Sequence, residues 1–85
     1  MNARDVSGAS VAVGDQVRVI SVRDSVLDRL DPEERLRVAG MKGAVFPVYE
    51  IDEWGGAWVR LEWKTGKGRS MSHSVSLAST EMERC

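Results

Sequence analysis

From Ala57 to Lys64 the chain alternates without a break. Ala57, Val59, Leu61 and Trp63 share one parity, and Arg60, Glu62 and Lys64 share the other. Successive side chains leave a strand on opposite sides, so this period predicts a strand with one buried face. A second alternation sets Ser70, Ser72, Ser74 and Ser76 against Met71, His73, Val75 and Leu77. A shorter one sets Val17 and Val19 against Gln16 and Arg18, within an opening strand of about Gln16 to Val22. The stretch from Ala44 to Asp52 is apolar on both parities and contains Pro47. Proline cannot donate to a ladder, so this arm is expected at an edge or at a bulge, bending sharply and changing the sheet it serves. It joins Ala57–Lys64 through the turn Asp52-Glu53-Trp54-Gly55-Gly56, a central hairpin that holds all three tryptophans. After a tight turn at residues 77–80, Glu81–Arg84 reads as a last short strand with Met82 inward.

Between the first strand and the hairpin the period changes. Asp31-Pro32-Glu33-Glu34 predicts a helix start: Asp31 fits the N-cap and Pro32 the first helical position, while the two glutamates favour the positive end of the helix dipole. Glu34 is placed to reach back to the cap amide. Leu36 and Ala39 can share the inner face, and Gly40 stands where a C′ glycine would end the helix. Asp24-Ser25 caps a shorter turn carrying Val26, Leu27 and Leu30. Residues 1–10 are small and polar without periodicity and are expected to form a disordered tail, leaving 11–85 as the folded domain.

Composition narrows the picture. Eighty-five residues hold one core. Twelve Lys and Arg against thirteen Asp and Glu give a net charge of −1, without the basic excess that nucleic-acid-binding domains carry. One cysteine, Cys85, excludes an internal disulfide. No apolar run approaches the ~18 residues of a membrane span, and the first residues lack the apolar core of a secretory signal. A soluble cytoplasmic protein, monomeric or weakly oligomeric, is expected.

Gly14-Asp15-Gln16-Val17-Arg18-Val19, then Gly40-Met41-Lys42-Gly43-Ala44-Val45, then Ala57-Trp58-Val59-Arg60-Leu61, and the closing Leu77-Ala78 and Glu81-Met82-Glu83 together resemble an SH3-like barrel. The G-D-x-V-R-V and G-x-x-G-x-V pair is similar to KOW-type translation domains and to the barrel of the nitrile hydratase β subunit. The tail is similar to that of a small accessory protein of photosystem I. The set that the chain resembles most is that of small bacterial stand-alone SH3-like proteins. The resemblance implies an all-β fold, a five-stranded barrel with a short helical insertion at about residues 31–40 between the first and second strands. It hands over no catalytic residue.

The candidate chemistry is sparse. His73, the only histidine, lies on the inward parity, and its serine neighbours point to the opposite face, so no activated nucleophile forms. One histidine and Cys85 do not make a zinc site. Glu33-Glu34 and Asp52-Glu53 read as helix-start and turn chemistry, and the loop TGKGR lacks phosphate-loop spacing. The expectation is therefore a non-catalytic protein without cofactor or metal. Trp63 has the inward parity. Trp58 falls on the polar parity, so it faces out or lies under a loop or the helical insertion. Trp54, Trp58 and Tyr49, rimmed by Asp52 and Glu53, would form an aromatic and acidic patch suited to a protein segment carrying Arg or Lys, or to a partner subunit. A nucleic-acid module using Arg18, Lys64, Lys67 and Arg69 is the alternative. An accessory subunit of an enzyme is a third.

Overall fold

A computed structural model describes residues 3–85 and divides the strands among three antiparallel sheets. The order is β1 (Ala3–Arg4), β2 (Ser10–Val11), β3 (Gln16–Val19), α1 (Asp24–Leu27), α2 (Pro32–Ala39), β4 (Val45–Pro47), β5 (Glu50–Ile51), β6 (Ala57–Lys64), β7 (Ser70–Leu77), a 3-10 turn (Ser79–Glu81) and β8 (Met82–Arg84). Strands β1 and β2 form a ribbon; the other two sheets run β4-β3-β8 and β5-β6-β7. The chain is thus mostly strand with little helix, and among the described residues the pairings leave three separate sheets rather than one closed cylinder.

The alternating stretches take the faces their period implies except toward the β6–β7 turn, where Met71 is exposed. Val17 and Val19 of β3, Ala57 and Val59 of β6, Val75 and Leu77 of β7, and Met82 of β8 are all buried. Burying a side chain of the Val, Leu or Met size stabilises by roughly 1.5–3 kcal/mol, which makes this cluster the main stabilising element of a small chain. Trp63 is half-buried on the inward parity, its indole Nε1 enclosed without an acceptor among the described residues.

Pro47 marks the handover between sheets. Residues 45–47 pair with β3 as the edge of one sheet, with Gln16 opposite Pro47, whereas Glu50 and Ile51 pair with β6 in the other. Between them Val48 is buried and its N–H donates to Asp15 O at 2.9 Å, while the Tyr49 N–H donates to Trp58 O at 3.0 Å. A proline at the edge removes no ladder bond, so one segment can bend and serve both sheets.

Helix α2 starts as its sequence implies, with the Asp31 side chain accepting from the Glu34 N–H at 2.9 Å. Its packing differs from expectation. Val38 is buried, whereas Leu36 is 76% exposed and Ala39 is also exposed. The inner face is Glu34, Val38 and Met41, spaced four and three residues apart; Leu36 lies two positions from Glu34, on the far side. The Glu34 carboxylate also leaves the cap and approaches His73 Nδ1 at 3.9 Å, linking the helix to β7. Gly40 keeps a right-handed φ of −69°, and the left-handed turn falls later, at Gly43 with φ 86°.

The segment expected as a loose tail is ordered from Ala3 onward; residues 1 and 2 lie outside the described residues. Ala3 and Asp5 are buried, and the Val6 N–H donates to Met82 O at 3.0 Å, so this ribbon leans on β8. Burial of Ala3 and Val11 and a hydrogen bond from the Arg84 N–H to the Asp5 carboxylate add to this contact. Among the described residues no helix is long and apolar enough to cross a membrane.

Candidate functional site

The turn between β5 and β6 is built around Asp52. Its backbone N–H donates to Gly56 O at 3.0 Å, and Gly55, at φ 78°, donates to Asp52 O at 3.2 Å. The carboxylate organises the rest: Oδ1 accepts the N–H groups of Trp54 at 3.0 Å and Gly56 at 2.7 Å, and Oδ2 accepts Trp58 Nε1 at 3.0 Å. The Gly56 N–H chiefly, helped by donors on Trp58, Trp54 and Ser76, holds this carboxyl below the usual carboxylate range against an opposing push from partial burial. Gly56 is required by space: a Cβ there would meet Ser76 Oγ and come within 2.6 Å of Asp52 Oδ2.

This scaffold sets two indoles in different states. Trp58 is half-buried and tied by its Nε1 to the turn. Trp54 is 83% exposed. Between them opens a cleft of about 740 Å³, whose lining includes Gly55, Ser76, Arg4 and Arg23. The Arg23 guanidinium is anchored by Nη2 to Ser76 O at 2.9 Å and by Nε beside the buried Glu81 at 3.3 Å. Arg4 donates from Nη1 to Gly8 O at 3.0 Å and forms no ion pair among the described residues.

The expected patch is only partly gathered here. Trp54, Trp58 and Asp52 meet, but Asp52 is committed to the turn and offers no free rim charge. Glu53 is exposed at the tip and does not line the cleft. Tyr49, 41% exposed, is drawn aside: its ring lies 5.0 Å from the Arg60 guanidinium carbon, over a shallow hollow shared with Pro47 and Glu62. The alternative cationic set is divided. Lys64, Lys67 and Arg69 cluster where the β6–β7 hairpin turns, whereas Arg18 sits on β3 in another sheet, 3.7 Å from Glu83. Six residue pairs along the ladder, at ~3.3 Å each, put Lys64 roughly 20 Å from Trp58. His73 is half-buried beside Glu34, and Cys85 is exposed. No group of three or more His, Cys, Asp or Glu that could hold a metal occurs among the described residues.

Arg4, Arg23 and Ser76 were not legible as site residues. Arg4 falls in the segment without periodicity and Arg23 in an irregular connection, and only the ribbon and the Arg23–Ser76 contact bring them to the turn. Comparisons of the chain with family profiles, curated proteins and solved structures find no match.

Proposed function

We propose that the chain is a small SH3-like barrel acting as a non-catalytic binding module, which takes a protein segment in the cleft between Trp54 and Trp58. The barrel reading is supported by β4-β3-β8 lying beside β5-β6-β7, by the segment 45–51 serving both, and by a 3-10 turn leading into the last strand. One observation carries the functional reading. A tryptophan 83% exposed is held on a turn fixed by a carboxylate with three donors, next to an open cleft. Large aromatics are the usual anchors of binding surfaces, and a preset turn lowers the ordering cost of contact. The placement of the loop cations away from this cleft favours a protein segment over a nucleic acid.

Selection of a random-peptide phage library on the whole chain tests this reading. Enriched clones that bind wild type and lose binding to Trp54→Ala support it. No enrichment, or clones indifferent to Trp54→Ala, would reject the cleft as the site.

A further inference from the structure

The groups that the cleft leaves free to bond differ from what its sequence neighbourhood suggests. Glu50, Asp52 and Glu53 crowd the turn in sequence, yet Asp52 is the only carboxylate among the cleft's lining residues. Its oxygens already accept from Trp54, Gly56 and Trp58 Nε1. An incoming Lys or Arg would have to displace those donors and undo the turn that positions Trp54. Glu81 is buried and engaged by Arg23 and by the Ala78 N–H at 2.8 Å, and Glu50, opposite Trp58 on β5, does not line the cleft.

What the cleft presents instead is donors. A guanidinium has five N–H groups. Arg23 uses Nη2 and Nε on its own chain, which leaves Nη1, while Arg4 uses one of its groups on Gly8 O. Both side chains are exposed, and Ser79 stands on the same lining, whereas the Ser76 hydroxyl is engaged with Asp52. The cleft therefore joins an aromatic wall to two arginines and the Ser79 hydroxyl, with no unbonded carboxylate among its described lining residues.

We propose that the occupant is an extended segment of another protein carrying a carboxylate next to an apolar side chain, the apolar group against Trp54 and the carboxylate between Arg4 and Arg23. This rests on reading the cleft as a binding site. A nucleic-acid strand fits less well, because a phosphate backbone needs a track of cations and the Lys64, Lys67 and Arg69 cluster lies roughly 20 Å along the ladder.

The test sequences the phage clones whose binding is lost in Trp54→Ala. Enrichment of Asp or Glu beside an apolar residue is expected. A synthetic peptide from such a clone should bind two- to fivefold more weakly to Arg4→Gln, the range for one exposed charge pair, and more weakly at high salt. Arg4 and Trp54 are exposed, so circular dichroism should show both variants folded as wild type. Trp54-dependent clones rich in Lys and Arg, or without charge, would overturn the charge assignment while leaving the site intact. Loss of Trp54 dependence would remove both. A twelve-nucleotide single strand whose binding is lost in Trp54→Ala would overturn the assignment to a protein segment.

Discussion

Asp5 Oδ2 accepts the backbone N–H of Arg84 at 2.8 Å, joining residues 79 apart in sequence. Through Oδ1 the same carboxylate accepts the Ser7 N–H at 2.9 Å, the Ser7 hydroxyl at 2.7 Å and the Ala9 N–H at 2.9 Å. It is 4% exposed, and a carboxylate so enclosed persists only when its oxygens are bonded. Asp5 thus fastens the β1–β2 ribbon to β8 and, with it, sets Arg4 at the cleft.

This bond has a pH signature. The Arg84 N–H first, then the Ser7 hydroxyl, and then the Ala9 and Ser7 N–H groups outweigh the opposing effect of burial and lower the Asp5 pKa from 3.8 to about 2. A folded pKa below the unfolded one means that the contribution is fully present above the unfolded value and is lost as pH falls through about 2. Asp5→Asn should lower Tm at neutral pH, because either amide orientation turns an NH₂ toward a backbone donor. The gap between wild type and variant should close between about pH 4 and pH 2. A gap that stays constant over that range would contradict the assignment.

The Trp54 turn separates scaffold from surface. Gly56→Ala pushes a methyl group into Asp52 and Ser76 and should destabilise by about 1–3 kcal/mol in urea unfolding, as overpacking does. Trp54→Ala removes an exposed side chain and should change stability by no more than about 0.5 kcal/mol. If Trp54→Ala proves as damaging as Gly56→Ala, Trp54 belongs to the folded scaffold and the cleft loses its open wall.

Helix α2 offers a contrast inside a single turn. Val38→Ala removes two buried carbons and should cost about 2 kcal/mol, whereas Leu36→Ala should stay within about 0.5 kcal/mol. Thermal unfolding of the pair is the measurement. Reversed costs would mean that the helix docks by its Leu36 face.

What the sequence reveals here is what short-range rules govern. The alternation of β6 and β7, the Asp31-Pro32 helix start and the break at Pro47 are each set by residues a few positions apart, and all three appear in the structure. The inner face of α2 was misplaced because a helix with one buried residue has hardly any apolar stripe to read, so Glu34 and its approach to His73 decide the orientation. The ribbon of residues 3–11 carries no alternation; it is held by contacts with the other end of the chain, Asp5 with Arg84 and Val6 with Met82. The site was half legible. Trp54 and Trp58 stand out by parity and position, but the charge around them depends on which carboxylate is already bonded and which arginine arrives from elsewhere.

The β6–β7 ladder fixes the distance between the cleft and the loop cations, and its register can be tested by proline. At the hairpin turn the Thr65 N–H donates to Arg69 O at 2.9 Å. In an antiparallel ladder bonded pairs recur every second residue, so Trp63–Met71, Leu61–His73 and Val59–Val75 exchange hydrogen bonds. The backbone groups of Ser72, Ser74 and Ser76 then face away from β6, and Ser76 O indeed accepts from Arg23. Met71→Pro removes a ladder donor and Ser72→Pro does not, although both positions are exposed. Met71→Pro should therefore be about 1 kcal/mol more destabilising than Ser72→Pro in urea unfolding. The opposite order would shift the register by one residue and turn Val75 and Leu77 out of the core, against their burial.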